Sequence, residues 1–255
     1  MRFLFPITIA LLQLLPACGK PPATAATNTT PEVKTISDFK VWKQQDTGPE
    51  AKVEIKTELA ESNPDPAAKP AELNVDAKKA GVLVLGKGAP FCAVKYEGKE
   101  DILPRKGYEI SWDAMRVDGS DFFSALTFPV LRKDEKGKDV CVSLITGGWG
   151  GWVVGLSSVS HQFASENETT RSFEFVSGRY YRFTIQVTPE VIRCIINGDQ
   201  QFKLDTKDKA LTMHPSEIQK SVPLGFSSYD TSGAIRNVQI RALKDGELKP
   251  DELPE

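Results

Sequence analysis

From about residue 81 the chain alternates apolar and polar side chains with a period of two. In the run Tyr108–Val117, Tyr108, Ile110, Trp112 and Ala114 fall on one face, and Glu109, Ser111 and Asp113 fall on the other. The pattern recurs in Tyr180–Thr188, where Tyr181, Phe183, Ile185 and Val187 oppose Arg182, Thr184 and Gln186. Side chains of a strand point alternately to its two faces, so such runs predict half-buried strands. Further strands are expected at Gly81–Gly86, Phe122–Phe128 (ended by Pro129), Val140–Thr146, Ser172–Val176, Val191–Ile196, Gln201–Leu204, Pro223–Ser227 and Ala234–Ala242. Asp118-Gly119-Ser120-Asp121 reads as the turn that returns the chain into Phe122–Phe128. Pro189-Glu190 and Asn197-Gly198-Asp199 are turns that join the later strands into a meander. A short helix is hinted at only in Ser216–Lys220. Nine or more short strands without crossover helices predict an all-β, antiparallel two-sheet sandwich or jelly roll over residues 80–243.

The pattern is different ahead of this block. Met1-Arg2 followed by the apolar run Phe3–Leu15 has the form of a signal peptide, too short to span a bilayer comfortably. It ends in Leu15-Pro16-Ala17-Cys18-Gly19, which is similar to the bacterial lipobox. Residues 1–17 are therefore expected to be cleaved and Cys18 lipidated, tethering the chain to a membrane of the bacterial cell envelope. Gly19 in place of an aspartate favours the outer membrane over the inner. Residues 18–79 are rich in Pro, Ala, Thr, Lys and Glu and read as a low-complexity, disordered tether. Two islands of alternation, Ile36–Trp42 and Val53–Leu59, interrupt it, and the first is the stronger candidate for an edge strand. Residues 244–255 read as a flexible tail.

One stretch stands out within the sandwich. Thr146–Ser158 holds five glycines and two tryptophans in thirteen positions. Glycine permits positive φ and close approach, and tryptophan supplies a large flat face, so a bent segment presenting indole rings at the rim is expected. Trp149, flanked by glycines, reads either as a binding face or as rim packing. Trp152, beside Val153-Val154, has the same two readings with core packing ahead of the binding face, and Trp112 reads as core. Asp113 lies on the polar face of its strand, either solvent-facing or ligand-facing. Asp121 beside its glycine turn, and Glu166 and Asn167 in the polar loop Ser165–Thr170, read either as lining for a site or as plain loop residues. That loop lacks the spacing of a calcium-binding EF-hand. No cofactor and no metal is called for.

The formal net charge of −2 and the absence of a basic stripe exclude nucleic acid as a partner. With Cys18 lipidated, Cys92, Cys141 and Cys194 remain, all in apolar strand-like settings. One disulfide among them is allowed, and the spacing does not choose the pair. His161 and His214 are the only histidines, and nothing along the chain ties either to a cysteine as a nucleophilic pair.

Five phrases carry a resemblance. Tyr108–Val117, Gly178–Val187, Ile195-Ile-Asn-Gly198, Pro223-Leu-Gly-Phe226 and Ile235-Arg-Asn-Val-Gln-Ile-Arg241 resemble, in order and spacing, the 3-keto-disaccharide hydrolase-like domain family. The resemblance implies a concanavalin A-like (laminin G-like) sandwich. It places the family's first-strand acid at Asp113. Elsewhere the chain departs: Ser120-Asp121-Phe122 replaces an Asn-Ser-Gly turn, Cys141–Thr146 lacks an acid, and Ser227–Ser232 replaces polar or histidine residues. A divergent branch that keeps the scaffold and loses much of the polar site is the expectation. A carbohydrate or glycan-like ligand is then the leading reading, with Trp149, Trp152, Asp113, Asp121, Glu166 and Asn167 as binding residues. The alternatives are a glycoside hydrolase or lyase acting on keto-sugars or disaccharides, with Asp113 as its acid/base, and a protein–protein adhesion module anchored by the tryptophans.

Overall fold

A computed structural model describes residues 32–67 and 75–250. Strands in chain order are β1 (Val33–Thr35), β2 (Trp42–Gln44), β3 (Val53–Lys56), β4 (Val82–Leu85), β5 (Phe91–Tyr96), β6 (Tyr108–Gly119), β7 (Ala125–Lys133), β8 (Asp139–Gly147), β9 (Val153–Ser157), β10 (Arg171–Ser172), β11 (Tyr180–Val187), β12 (Val191–Ile196), β13 (Asp199–Asp205), β14 (Gly225–Tyr229) and β15 (Thr231–Ala242). One sheet runs β13-β12-β11-β6-β15-β4-β3, with β1 also on β15. The other runs β10-β9-β8-β7-β14-β5-β2. All pairs are antiparallel. The fold is an antiparallel two-sheet sandwich of the jelly-roll kind.

The alternation read from the sequence builds the core. Tyr108, Ile110, Trp112 and Ala114 of β6 and Phe183, Ile185 and Val187 of β11 face inward against Leu126 and Phe128 of β7, Val142 and Leu144 of β8, and Phe226 of β14. Trp112 stacks on Phe183 within its own sheet at 5.3 Å and meets Phe226 of the opposite sheet at 5.7 Å. Each buried aromatic contributes about 2–3 kcal/mol by transfer from water.

Three local readings change. The Asp118–Asp121 turn does not close a hairpin, because β6 and β7 belong to different sheets and the turn carries the chain from one layer to the other. Pro129 does not end its strand. It lies inside β7, opposite Cys141, beyond the stretch of β7 that pairs with β14, and the ladder shifts register just after it. Proline cannot donate to a ladder, and here that donor is not needed. Ser172–Val176 is a strand only at Arg171–Ser172. Beyond it the Phe173 N–H still donates to the Trp152 carbonyl oxygen at 2.8 Å, while the rings of Phe173 and Phe175 pack against Tyr181.

The span read as tether also supplies structure. The first island ends in the edge strand β2 on β5, and the second is β3 on β4. Ile36, Phe39, Trp42 and Ala51 are buried in the main core. The signal peptide, Cys18 and residues 251–255 lie outside the described residues. Among those described, no helix is long and apolar enough to cross a membrane.

The outer face of the second sheet is lined by small side chains, among them Ala93, Ala125, Ser143 and Ser227. Small residues let covering segments lie close. A 3-10 helix (Glu217–Ser221) and the loop after β9 bring Ile218 and Ala164 onto Phe122, Ala125 and Ile145.

Candidate functional site

The glycine-rich segment folds as a left-handed turn. Gly147, Trp149, Gly150 and Gly151 all have positive φ, at 85°, 49°, 83° and 101°. Glycine supplies three of these four because side chains avoid that region. The turn encloses a guanidinium. Arg116 of β6 donates to the carbonyl oxygens of Gly151 and Phe175, and its guanidinium lies 5.3 Å from the centroid of the Phe123 ring. A Cβ on Gly147 would sit 2.7 Å from Arg116 Nη2. The turn is thus shaped by what it wraps around. Burial lowers the Arg116 pKa, while the nearby Asp121 charge acts to raise it.

This turn projects Trp149 and Trp152 into solvent, at 43% and 54% exposure. Trp152 Nε1 donates to the Trp149 carbonyl oxygen at 2.7 Å. The expected core role of Trp152 is therefore corrected: the turn reverses direction just ahead of β9, so its ring leaves the sheet surface before the strand begins.

Trp149 forms one wall of a groove of about 270 Å³, shared with Phe91, Phe122, Tyr229, Asp121 and His214. Phe91 opens β5, Tyr229 closes β14, Asp121 and Phe122 lie between β6 and β7, and Trp149 follows β8, so the groove sits at one end of the sandwich. Phe91 and Tyr229 meet edge to face at 4.9 Å. Asp121 is half-buried. Its Oδ1 accepts the Phe122 N–H at 2.8 Å, and its own N–H donates to Thr231 Oγ1 at 2.8 Å. Desolvation raises the Asp121 carboxyl above the ordinary 3.8, against the opposing pull of the Phe122, Gly150 and Trp149 N–H groups and the Arg116 charge. Burial lowers the His214 imidazole below the ordinary 6.5. The groove offers aromatic faces, one desolvated carboxylate and a neutral imidazole.

The other residues picked out from the sequence lie elsewhere. Asp113 is 1% exposed on the outer face of β6. Arg182 Nη1 of β11 reaches its Oδ1 at 2.9 Å, Asn237 Nδ2 reaches Oδ2 at 3.3 Å, and Arg236 Nε stands 3.6 Å from Oδ2. A bulge in β15 between Arg236 and Gln239 makes this convergence. It sets two residues of β15 against one of β6 and holds Asn237 at a φ of 54°. Asp113 thus anchors the Arg-Asn-Val segment of the closing strand. It is not free to act as an acid/base or to meet a ligand.

Asn167 is also buried and fully occupied. Its Nδ2 donates to the carbonyl oxygens of Leu156, Gln162 and Phe163, and its Oδ1 accepts from Thr169. It pins its loop over β9, which removes it as a binding residue. Glu166 is exposed on that same loop and does not line the groove. Cys92, Cys141 and Cys194 are free, buried thiols with no disulfide among them. Among the described residues no three His, Cys, Asp or Glu side chains gather as a metal site.

No family model matches the chain, and no curated protein matches it by sequence. Solved structures share the sandwich. A carbohydrate esterase from a Shiga toxin-encoding bacteriophage is 14% identical over 82% of this chain and 93% of its own, with a TM-score of 0.47. A carbohydrate-binding module from Bacillus subtilis is 11% identical over 63% and 86%, with a TM-score of 0.39. An alginate lyase of polysaccharide lyase family 7 is 12% identical over 67% and 82%, with a TM-score of 0.40. At such identities and scores these likenesses bear on neither ligand nor chemistry.

Sequence reasoning found Trp149 and Asp121 but missed Phe91, Phe122, His214 and Tyr229 as their companions. The available signal was positional: each stands at the end of a strand or in a loop that the topology gathers at one end of the sandwich. A larger depression of about 470 Å³ opens at the opposite end, where Tyr96 closes β5. Lys95, Lys99, Arg105, Glu97, Glu100 and Asp139 mix both charges there. Tyr96 is the single aromatic side chain among the described residues that line it, against four in the Trp149 groove.

Proposed function

We propose that this chain is an envelope-anchored lipoprotein whose sandwich binds a carbohydrate or glycan-like ligand in the Trp149 groove. The observation that carries this reading is an exposed indole face, held out by a left-handed turn, beside a half-buried carboxylate. Sugar rings pair an apolar C–H face with a rim of hydroxyl donors. An aromatic wall takes the first and an ionised carboxylate accepts from the second.

Binding without hydrolysis is the form we favour. Hydrolysis of a glycosidic bond ordinarily uses two carboxylates about 5–9.5 Å apart. Asp121 is the single carboxylate among the described residues that line the groove. The order of the phrases Tyr108–Val117 and Ile235–Arg241, joined in space at Asp113, supports reading the chain as a divergent branch of the 3-keto-disaccharide hydrolase-like family. Anchoring rests on the sequence around Cys18. Palmitate labelling of the expressed chain, lost in Cys18→Ser, is the expected result for it.

The direct test is a glycan-array screen of the full chain purified in detergent, with Trp149→Ala as control and each hit incubated for new reducing ends. Retention lost in the variant, without product, supports the binding reading. Turnover that disappears in Asp121→Asn would move the assignment to an enzyme, and retention unchanged in Trp149→Ala would remove the groove from it.

A further inference from the structure

We infer that the Trp149 groove takes neutral saccharides and excludes uronic acids and other anionic sugars. The inference rests on the sugar-binding reading above and adds the class of sugar. Of the ten described residues that line the groove, Asp121 is the single carboxylate and His214, held below the ordinary 6.5 by burial, is the single basic side chain. No lysine or arginine lines it among the described residues.

Cations near the groove are already engaged. Arg116 lies beneath the turn, 7% exposed, with its terminal nitrogens on the carbonyl oxygens of Gly151 and Phe175, its Nε without a partner among the described residues, and its charge set against that of Asp121. Lys220 pairs with Glu217, and Lys87 pairs with Asp230 at 3.4 Å. Each of these two lysines is matched by its own acid, so neither brings net positive charge to the mouth.

A uronate carboxylate entering this groove would lose hydration without gaining a cation. It would also stand beside the Asp121 carboxylate and over the negative face of an indole ring. A neutral sugar meets neither penalty. Its hydroxyl donors match Asp121, which in the ionised state only accepts hydrogen bonds. Like-charge juxtaposition at a desolvated contact costs enough to shift affinity by at least about tenfold.

The experiment is calorimetric titration of the full chain in detergent at pH 7 with paired probes. These are a panel of neutral trisaccharides of differing linkage, each beside its C6-oxidised uronic counterpart. The expected result is that sugars which bind lose at least about tenfold on oxidation, and that Asp121→Asn narrows the gap while keeping an acceptor for the Phe122 N–H. A uronic counterpart bound as tightly as its neutral partner, or more tightly, overturns the inference and leaves the carbohydrate reading standing. A gap unchanged in Asp121→Asn overturns the role given to Asp121. Binding of neither kind overturns the carbohydrate reading itself, and the inference with it. The wild-type pairs decide the main question even if the variant does not fold.

Discussion

The Arg116 guanidinium donates to the carbonyl oxygen of Gly151 from inside the turn that carries Trp149. A buried cation on β6 thereby sets the position of an exposed ring at the end of the sandwich. Gly151 has a φ of 101°, and a Cβ there would sit 3.0 Å from both terminal nitrogens of Arg116. Gly151→Ala is expected to lower stability by about 1–3 kcal/mol, the usual cost of a side chain held in this region. Because the turn must shift, sugar binding should weaken as well. A urea melt and a titration on the same sample check both.

The two exposed tryptophans should separate function from stability. Trp149→Ala is expected to reduce affinity by about 2 kcal/mol, roughly thirtyfold, as a central aromatic contact does. Its melting temperature should move by no more than about 1–2 °C, since the ring is not core. Trp152→Ala should leave melting similarly unmoved and affect binding less, because Trp152 does not line the groove. A large fall in melting temperature for Trp149→Ala would instead assign the ring a packing role.

Binding should depend on pH through Asp121. Its carboxyl titrates above the ordinary 3.8, so the acceptor is lost on acidification earlier than for an exposed aspartate. Affinity should therefore fall as pH drops through that raised value, and Asp121→Asn should flatten this limb. The stability contribution of the same group has the opposite sense. A raised carboxyl pKa stabilises most below 3.8, and this is lost as pH rises through the raised value. His214 also protonates in acid, below the ordinary 6.5. A limb that persists in Asp121→Asn belongs to that imidazole if His214→Gln removes it. Titrations between pH 3.5 and pH 8, with melts alongside, test both signs.

Asp113→Asn is expected to cost about 3–5 kcal/mol, because removing one partner of a buried ion pair strands the other. Arg182 and Arg236 would lose their shared counter-charge. The midpoint of guanidinium unfolding should fall, while sugar affinity of the folded fraction stays unchanged. A variant of wild-type stability would show the cluster to be dispensable.

The three buried thiols should be silent in the native state. Burial pushes Cys92 up to about 11 and Cys141 up to about 12, and raises Cys194 as well. Only the thiolate is a nucleophile. In a Cys18→Ser background at pH 8, iodoacetamide should label none of the three natively and all three in guanidinium. Rapid native labelling of any one would show that its surroundings open.

Period-two alternation with turn residues between was enough to read most of the strands and the sandwich, because burial of one face per strand is a local property; it did not reveal β5, whose Cys92, Ala93 and Val94 are buried in succession. The tandem Gly-Gly-Trp-Gly-Gly likewise announced a turn presenting tryptophan, since positive φ at neighbouring positions calls for glycine. Asp113 shows where such reading stops. A polar residue at an alternating position looks solvent-facing, and only the neighbours on β11 and β15, 69 and 123 positions away by number (182 − 113 and 236 − 113), turn it into a buried anchor. Asn167 was misread for the same reason: its side chain is consumed by carbonyl groups of a loop whose path the sequence does not state.

What the sequence by itself determined, then, is the architecture: most strand positions, the all-β class and the presence of a glycine-shaped tryptophan turn. Tertiary structure alone decided which sheet each strand joins, which polar groups are buried, and which side chains meet. The groove draws Phe91, Asp121, Trp149, His214 and Tyr229 from five separate stretches of chain. The physical reason is that strand formation depends on each residue's own face, whereas a site depends on long-range pairing that closes distant strand ends onto one another.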